Sequence, residues 1–368
     1  MSFAHVIGQE AVKAQARAWL AADRLPHAIL ICGPEGTGKR RLALELAKAI
    51  CCRAGAVEAC DACSSCRRIE QLSHPDVHAL VPLAPRRGRK DKAREESPPE
   101  EDRIAALEFL AGGASASPGG ANISVESLRQ LQASMGYAPG ESSRRVGLVF
   151  GAECMQPAGA NALLKSLEEP SRRAIFVLVS AAPERLLPTV LSRCQRLACR
   201  RLRPEEVRDH LRSQGMEGDR LELAVRLGAG SLDRASRAVS GELDPVRLQV
   251  ERFLQAAVAG ETQEYWEVIE ELSARGEKNA VPLFLELLGV HLRDLFLLDQ
   301  GREEEIALVD RLVALKGLAT TLGPARLERA ALEVDRAGEY LGRHVHPNLV
   351  LVDLWRALGG RPGPAPTG

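Results

Sequence analysis

Gly33-Pro34-Glu35-Gly36-Thr37-Gly38-Lys39 constrains this chain more than any other stretch. It follows the apolar run His27–Cys32 and opens an alanine- and leucine-rich segment. That strand–turn–helix setting is what a phosphate-binding loop requires. Such a loop works because successive backbone N–H groups and a helix N-terminus point at anionic oxygens. Glycines at 33, 36 and 38 let the backbone turn tightly and approach phosphates, and Lys39 is placed to reach the terminal ones. The cation half of the pattern is missing. Arg40 stands where a Ser or Thr hydroxyl would hold Mg²⁺, and the run Arg145–Phe150 ends in Phe150-Gly151 where acidic residues would complete the metal site. Glu153 comes three residues later than those acids should. The expectation is a degenerate nucleotide site: ATP or ADP held weakly or not at all, and no Mg²⁺ site.

A chain of 368 residues is too long for one typical domain. Its 49 Lys and Arg balance 49 Asp and Glu, so no net field draws the molecule to nucleic acid or membrane. The start, Met1-Ser2-Phe3-Ala4-His5, lacks a charged and then apolar leader, and no apolar run reaches membrane-span length. Nine cysteines, four of them clustered, point to a reducing cytoplasm and metal binding rather than to a disulfide framework.

Consecutive apolar residues predict strands buried on both faces at 27–32, 77–81, 146–150 and 175–180. Helical spacing predicts helices at 9–22, 38–50, 124–135 and 158–168. Strand alternating with helix gives an α/β domain with a mainly parallel sheet. Residues 84–120 interrupt it with a basic run, two prolines and an acidic run; the composition predicts a flexible insert that buries little. Beyond about residue 202 strand patterning fades. Residues 204–240 read as short helices, and 245–358 as wholly helical, with Leu285, Leu288, Leu292 and Leu295 forming one core stripe. The tail after Arg361 is rich in Pro and Gly.

Cys51, Cys60, Cys63 and Cys66 carry two overlapping Cys-x-x-Cys steps with one thiol upstream, the donor set of a tetrahedral structural Zn²⁺ site. Spacing alone leaves Cys52 open as the fourth ligand. Cys32, Cys154, Cys194 and Cys199 read as apolar fillers. Ser192-Arg193-Cys194 follows the last strand, and beside a phosphate loop Arg193 is a candidate finger acting on a neighbour's γ-phosphate.

Together these motifs resemble the AAA+ clamp-loader subunits of bacterial DNA polymerase III. Supporting segments are Val6-Ile7-Gly8-Gln9-Glu10, Ser73-His74-Pro75-Asp76, Asn161-Ala162-Leu163-Leu164-Lys165-Ser166-Leu167-Glu168-Glu169-Pro170, Leu191-Ser192-Arg193-Cys194 and His346-Pro347-Asn348-Leu349-Val350-Leu351. The resemblance implies an α/β AAA+ P-loop core over 1–202 carrying a zinc module at 51–66 and the insert 84–120, an all-α lid over 203–242, an all-α oligomerising collar over 243–360, and a tail at 361–368. It implies adenine contacts from Val6 and Ile7, phosphate contacts from Gly33, Gly36, Thr37, Gly38 and Lys39, and Arg193 as a finger supplied in trans. It implies tau/gamma-type and delta subunits as partners, with the sliding clamp and primer–template DNA reached through the complex. Active motors of this family carry the hydroxyl and acids that Arg40 and Phe150-Gly151 replace, and Asp233 stands at their sensor arginine. The expected role is therefore a non-hydrolysing component of the polymerase holoenzyme, with no turnover of its own. An active tau/gamma-type ATPase and a zinc-dependent nucleic-acid-binding module are the alternatives.

Overall fold

The computed structural model describes residues 2–55, 57–83, 99–110, 121–169, 171, 173–274, 280–342 and 345–360. These fall into two compact units. One holds the described residues up to Val207 together with Gly230–Asp233; the other holds Arg208–Ala229 and the described residues from Arg234 onward.

The first unit contains α1 (Glu10–Ala21), β1 (Ala28–Cys32), α2 (Lys39–Cys51), α3 (Ser64–Glu70), β2 (Val77–Leu80), α4 (Pro99–Leu110), α5 (Val125–Gly136), β3 (Arg145–Phe150), α6 (Pro157–Glu168), β4 (Ala174–Ser180), the single turn α7 (Pro188–Leu191) and β5 (Gln195–Ala198). The strands form one parallel sheet in the order β2-β3-β4-β1-β5. Every residue of β1 and β4 is buried, as expected for central strands covered on both faces. Alternation sorts them: Ile29, Ile31, Leu148, Phe150, Val177 and Val179 share a core with residues of α1, α2 and α4. Leu30, Val149, Phe176 and Leu178 pack with residues of α5 and α6 on the other face. The loop after β1 thus opens at the carboxyl ends of parallel strands, where ligands of such sheets bind.

Two elements differ from the sequence expectation. β5 is an extra edge strand; only Leu197 of its four residues is buried, so it carries no apolar run. Residues 99–110 of the insert form α4 and bury Ala106 and Phe109 in the core. One apolar side of a helix anchors this segment, which charge composition could not reveal. The rest of 84–120 lies outside the described residues.

Asp76, fully buried, organises the entry to β3. Its carboxylate accepts backbone N–H bonds from Gly140 (2.7 Å), Glu141 (2.8 Å) and Ser142 (2.8 Å), and the Ser142 hydroxyl at 3.0 Å. Burial alone would raise its pKa, but those donors override it and hold the group at about 2, against an ordinary 3.8. The depressed pKa makes the ionised form the stabilising one. That contribution, about 2 kcal/mol, is complete above pH ~4 and is lost as pH falls through the folded value near 2. Asp76→Ala removes the shared acceptor of three backbone N–H groups and the Ser142 hydroxyl and should cost about 2–3 kcal/mol in urea unfolding at neutral pH.

The regular elements of the second unit, among its described residues, are all helices: the end of α8 (Pro204–Ser213), α9 (Gly218–Gly228), most of α10 (Leu232–Ser240), α11 (Asp244–Ala259), α12 (Thr262–Ala274), α13 (Ala280–Asp299), α14 (Leu312–Leu322), α15 (Pro324–Gly342) and α16 (Pro347–Ala357), with short 3-10 turns between. Leu285, Leu288, Leu292 and Leu295 are buried as the stripe on α13 predicts. Phe253, Tyr265, Phe284 and Trp355 form an aromatic core, with Tyr265 and Trp355 centroids 4.3 Å apart and Phe253 edge-on to Phe284 at 5.4 Å.

Candidate nucleotide loop and metal cluster

The phosphate loop is built as the glycines require. Gly33, Gly36 and Gly38 have φ of 141°, 70° and 86°. A Cβ on Gly36 would lie 1.8 Å from Ser231 Oγ, so both conformation and space demand glycine there. The Leu232 N–H donates to the Gly36 carbonyl at 2.8 Å, tying Gly230–Asp233 to the loop. Thr37 is fully buried, and its hydroxyl donates to the Pro34 carbonyl at 2.9 Å. Lys39 Nζ donates to the same carbonyl at 2.5 Å, and burial lowers its pKa. The lysine is thus held by the loop itself.

Val6 is buried, with Cγ1 3.6 Å from the Cβ position of Gly38; Ile7 is half-buried. Gln9 locks this segment in place. Its buried amide donates to the Thr37 carbonyl (3.2 Å) and the Arg200 carbonyl (2.7 Å) and accepts from the Arg200 N–H (3.0 Å). The sequence showed Gln9 only as a motif letter; its left-handed φ of 61° and its bridge from the loop to the end of β5 emerge in three dimensions.

Neither Arg40 nor Phe150 is idle. Arg40 donates to the Phe109 carbonyl at 3.0 Å, with its guanidinium 4.2 Å from the Phe109 ring centroid. Phe150, fully buried, lies 6.3 Å from the same ring. Glu153 accepts the Ala181 N–H at 3.1 Å and braces the ends of β3 and β4. Ser180, at the end of β4, is buried and accepts the Ala182 N–H at 3.2 Å.

The cysteine cluster consists of Cys52, Cys60, Cys63 and Cys66, whose sulfurs all lie within 4.8 Å of one another. Tetrahedral zinc–thiolate geometry needs about 3.8 Å between sulfurs, so the set fits a metal with little adjustment. Backbone N–H groups of Cys60, Cys63 and Cys66 donate to the sulfurs of Cys52, Cys60 and Cys63 at 3.3–3.4 Å. Burial raises the Cys63 thiol, but the N–H groups of Cys66 and Arg53 outweigh it and bring the thiol down to about 6. Such donors favour thiolate. Cys51, the fourth ligand favoured from spacing, is not in the cluster. It is the last residue of α2 and faces the core, 3.8 Å from the Arg144 carbonyl, where burial pushes its thiol up to about 12. The chain leaves the helix at Cys52 with ψ 126°, which turns that residue toward Cys60. The cluster is also pinned to α2 by ions: Lys48 Nζ sits 2.7 Å from Asp61, 2.9 Å from Glu70 and 3.1 Å from Glu45. Of the remaining thiols Cys32, Cys194 and Cys199 are buried and Cys154 is half-buried.

Arg193 is partly exposed. One guanidinium nitrogen donates to the Thr189 carbonyl at 2.9 Å and to Ser192 Oγ at 3.1 Å, and the other pairs with Glu168 at the end of α6. Among the described residues no helix is long and apolar enough to cross a membrane.

A glycine phosphate loop after the first strand of a parallel sheet, with a four-cysteine cluster at the far end of its helix, defines a P-loop α/β protein bearing a cluster that could hold a metal ion. The family described as "DNA polymerase III, delta subunit" matches residues 8–203, and the chain belongs to that family. It is 26% identical to the DNA polymerase III subunit delta' of Bacillus subtilis (strain 168), over 80% of this chain and 79% of that protein. It is 35% identical to subunit delta' of Pseudomonas aeruginosa, over 47% of this chain and 43% of that protein. It is also 35% identical to subunit gamma/tau of Mycobacterium tuberculosis (strain ATCC 25618 / H37Rv), over 62% of this chain but only 35% of that longer protein.

Proposed function

We propose that this chain is the delta-prime-like stator of a clamp loader: a subunit that does not hydrolyse ATP itself but completes a neighbour's ATP site with Arg193. The observation that carries the reading is a contrast within one unit. The loop keeps its glycines and Lys39, while Arg40 and Phe150 replace both oxygen ligands for Mg²⁺ and pack on Phe109. Arg193 meanwhile stays partly exposed, paired among the described residues with exposed Glu168 and local oxygens. A guanidinium so placed can exchange Glu168 for the γ-phosphate of ATP on an adjoining tau/gamma-type subunit, where it would stabilise charge developing in phosphoryl transfer.

In this reading residues 1–202 are the AAA+ core, 203–242 the lid and 243–360 the collar. Tau/gamma-type and delta subunits are the direct partners, the sliding clamp and primer–template DNA are engaged through the assembly, and the setting is cytoplasmic. Val6 and Ile7 would flank adenine and the loop amides would hold phosphate. Cys52, Cys60, Cys63 and Cys66 would hold Zn²⁺ as a closed cross-link with no open coordination position. The test on the isolated chain is direct: with Mg²⁺ and ATP it should show no turnover above that of its Lys39→Ala variant. Turnover that Lys39→Ala abolishes would make it a motor instead.

A further inference from the structure

The insert helix α4 packs its Phe109 against Arg40 and Phe150, the two positions at which the metal-binding pattern carries its ligands. In the metal-binding pattern a side chain at position 40 and one at position 150 converge on a cation through oxygen ligands about 2.0–2.1 Å from it. In this chain both side chains converge on the ring of Phe109. Arg40 stacks on it at 4.2 Å and holds the adjoining carbonyl at 3.0 Å; Phe150 lies tilted against it at 6.3 Å. Phe109 is 2% exposed, so the ring is embedded, and Ala106 one turn earlier is buried beside it.

We propose that α4 is an intramolecular plug. Phe109 takes the cation's place, and the guanidinium of Arg40 supplies the fixed positive charge that clamps it there. The proposal deepens the reading of the loop as a cation-free nucleotide site and rests on it. The chain's silence as an ATPase then has two layers: the ligands are missing, and the space for the ion is filled. Restoring a hydroxyl at position 40 removes the clamp but leaves the ring, so it cannot by itself restore Mg²⁺ dependence.

The plug can be removed cleanly because its base is closed. Leu83 and Asn122 exchange two backbone hydrogen bonds of 3.1 Å, so the chain enters and leaves the insert side by side. Two variants of the full chain are compared, Arg40→Thr and Arg40→Thr with residues 84–120 replaced by a short Gly-Ser linker. ATP affinity is measured for each in Mg²⁺ and in EDTA. Arg40→Thr alone should show the same affinity in both. The excised variant should bind about tenfold or more tightly in Mg²⁺, ~1.4 kcal/mol or more. A Mg²⁺ gain already present in Arg40→Thr overturns the plug, and so does its absence from an excised variant that still melts cooperatively. If excision prevents folding, Arg40→Thr/Phe109→Ala takes its place below its melting temperature: a Mg²⁺ gain there supports the plug, and equal affinity in Mg²⁺ and EDTA overturns it. Lys39-dependent ATP turnover by the unaltered chain would instead bring down the underlying reading.

Discussion

On the proposed trans-finger role, Arg193→Ala should lower ATP turnover at the neighbouring subunit's site by about a thousandfold, the scale on which arginine fingers act in phosphoryl transfer. The complex should still assemble, because among the described residues Arg193 contacts Thr189, Ser192 and Glu168, all of its own chain. In a loader with several ATP sites the bulk rate falls by the share of that one site, so single-turnover measurement on the assembled complex is the appropriate readout. Arg193→Lys should not rescue it, since an ammonium cannot reproduce the planar fork of a guanidinium. Glu168→Ala removes the exposed counter-charge and should leave turnover within a few-fold of the parent. Unchanged single-turnover kinetics in Arg193→Ala would end the trans-finger reading, whatever the state of the chain's own loop.

The second large effect concerns the cysteines. Cys52→Ser should drop bound zinc from about one ion per chain to near none and lower the melting temperature sharply, because a four-thiolate site stores several kcal/mol of folding free energy. Cys51→Ser should keep its metal. It exchanges a buried thiol beside the Arg144 carbonyl for a hydroxyl, and should cost only about 1 kcal/mol. Metal content by elemental analysis, with melting curves in and out of chelator, separates the two. If Cys51→Ser loses zinc and Cys52→Ser retains it, the assignment reverses.

The buried strands and the loop were legible because burial on both faces writes itself as an unbroken apolar run and glycine spacing writes the turn. The edge strand was not: Gln195 and Arg196 are exposed, and a strand with one buried residue in four has no pattern. The charges around α4 masked Ala106 and Phe109. Spacing could not choose between Cys51 and Cys52, because the choice depends on where α2 ends, and one residue there changes the direction of the side chain by about a third of a helical turn. Arg40 and Phe150 were legible as losses; that both close on one ring was not, since Phe109 lies 69 residues from Arg40 along the chain.

Helix α2 begins at Lys39, ends at Cys51 and spans 13 residues, about 20 Å. Lys48, through Asp61 and Glu70, ties the cysteine module to the last turns of that rod. The cysteine module and the phosphate loop thus stand at opposite ends of one rod, about 20 Å apart.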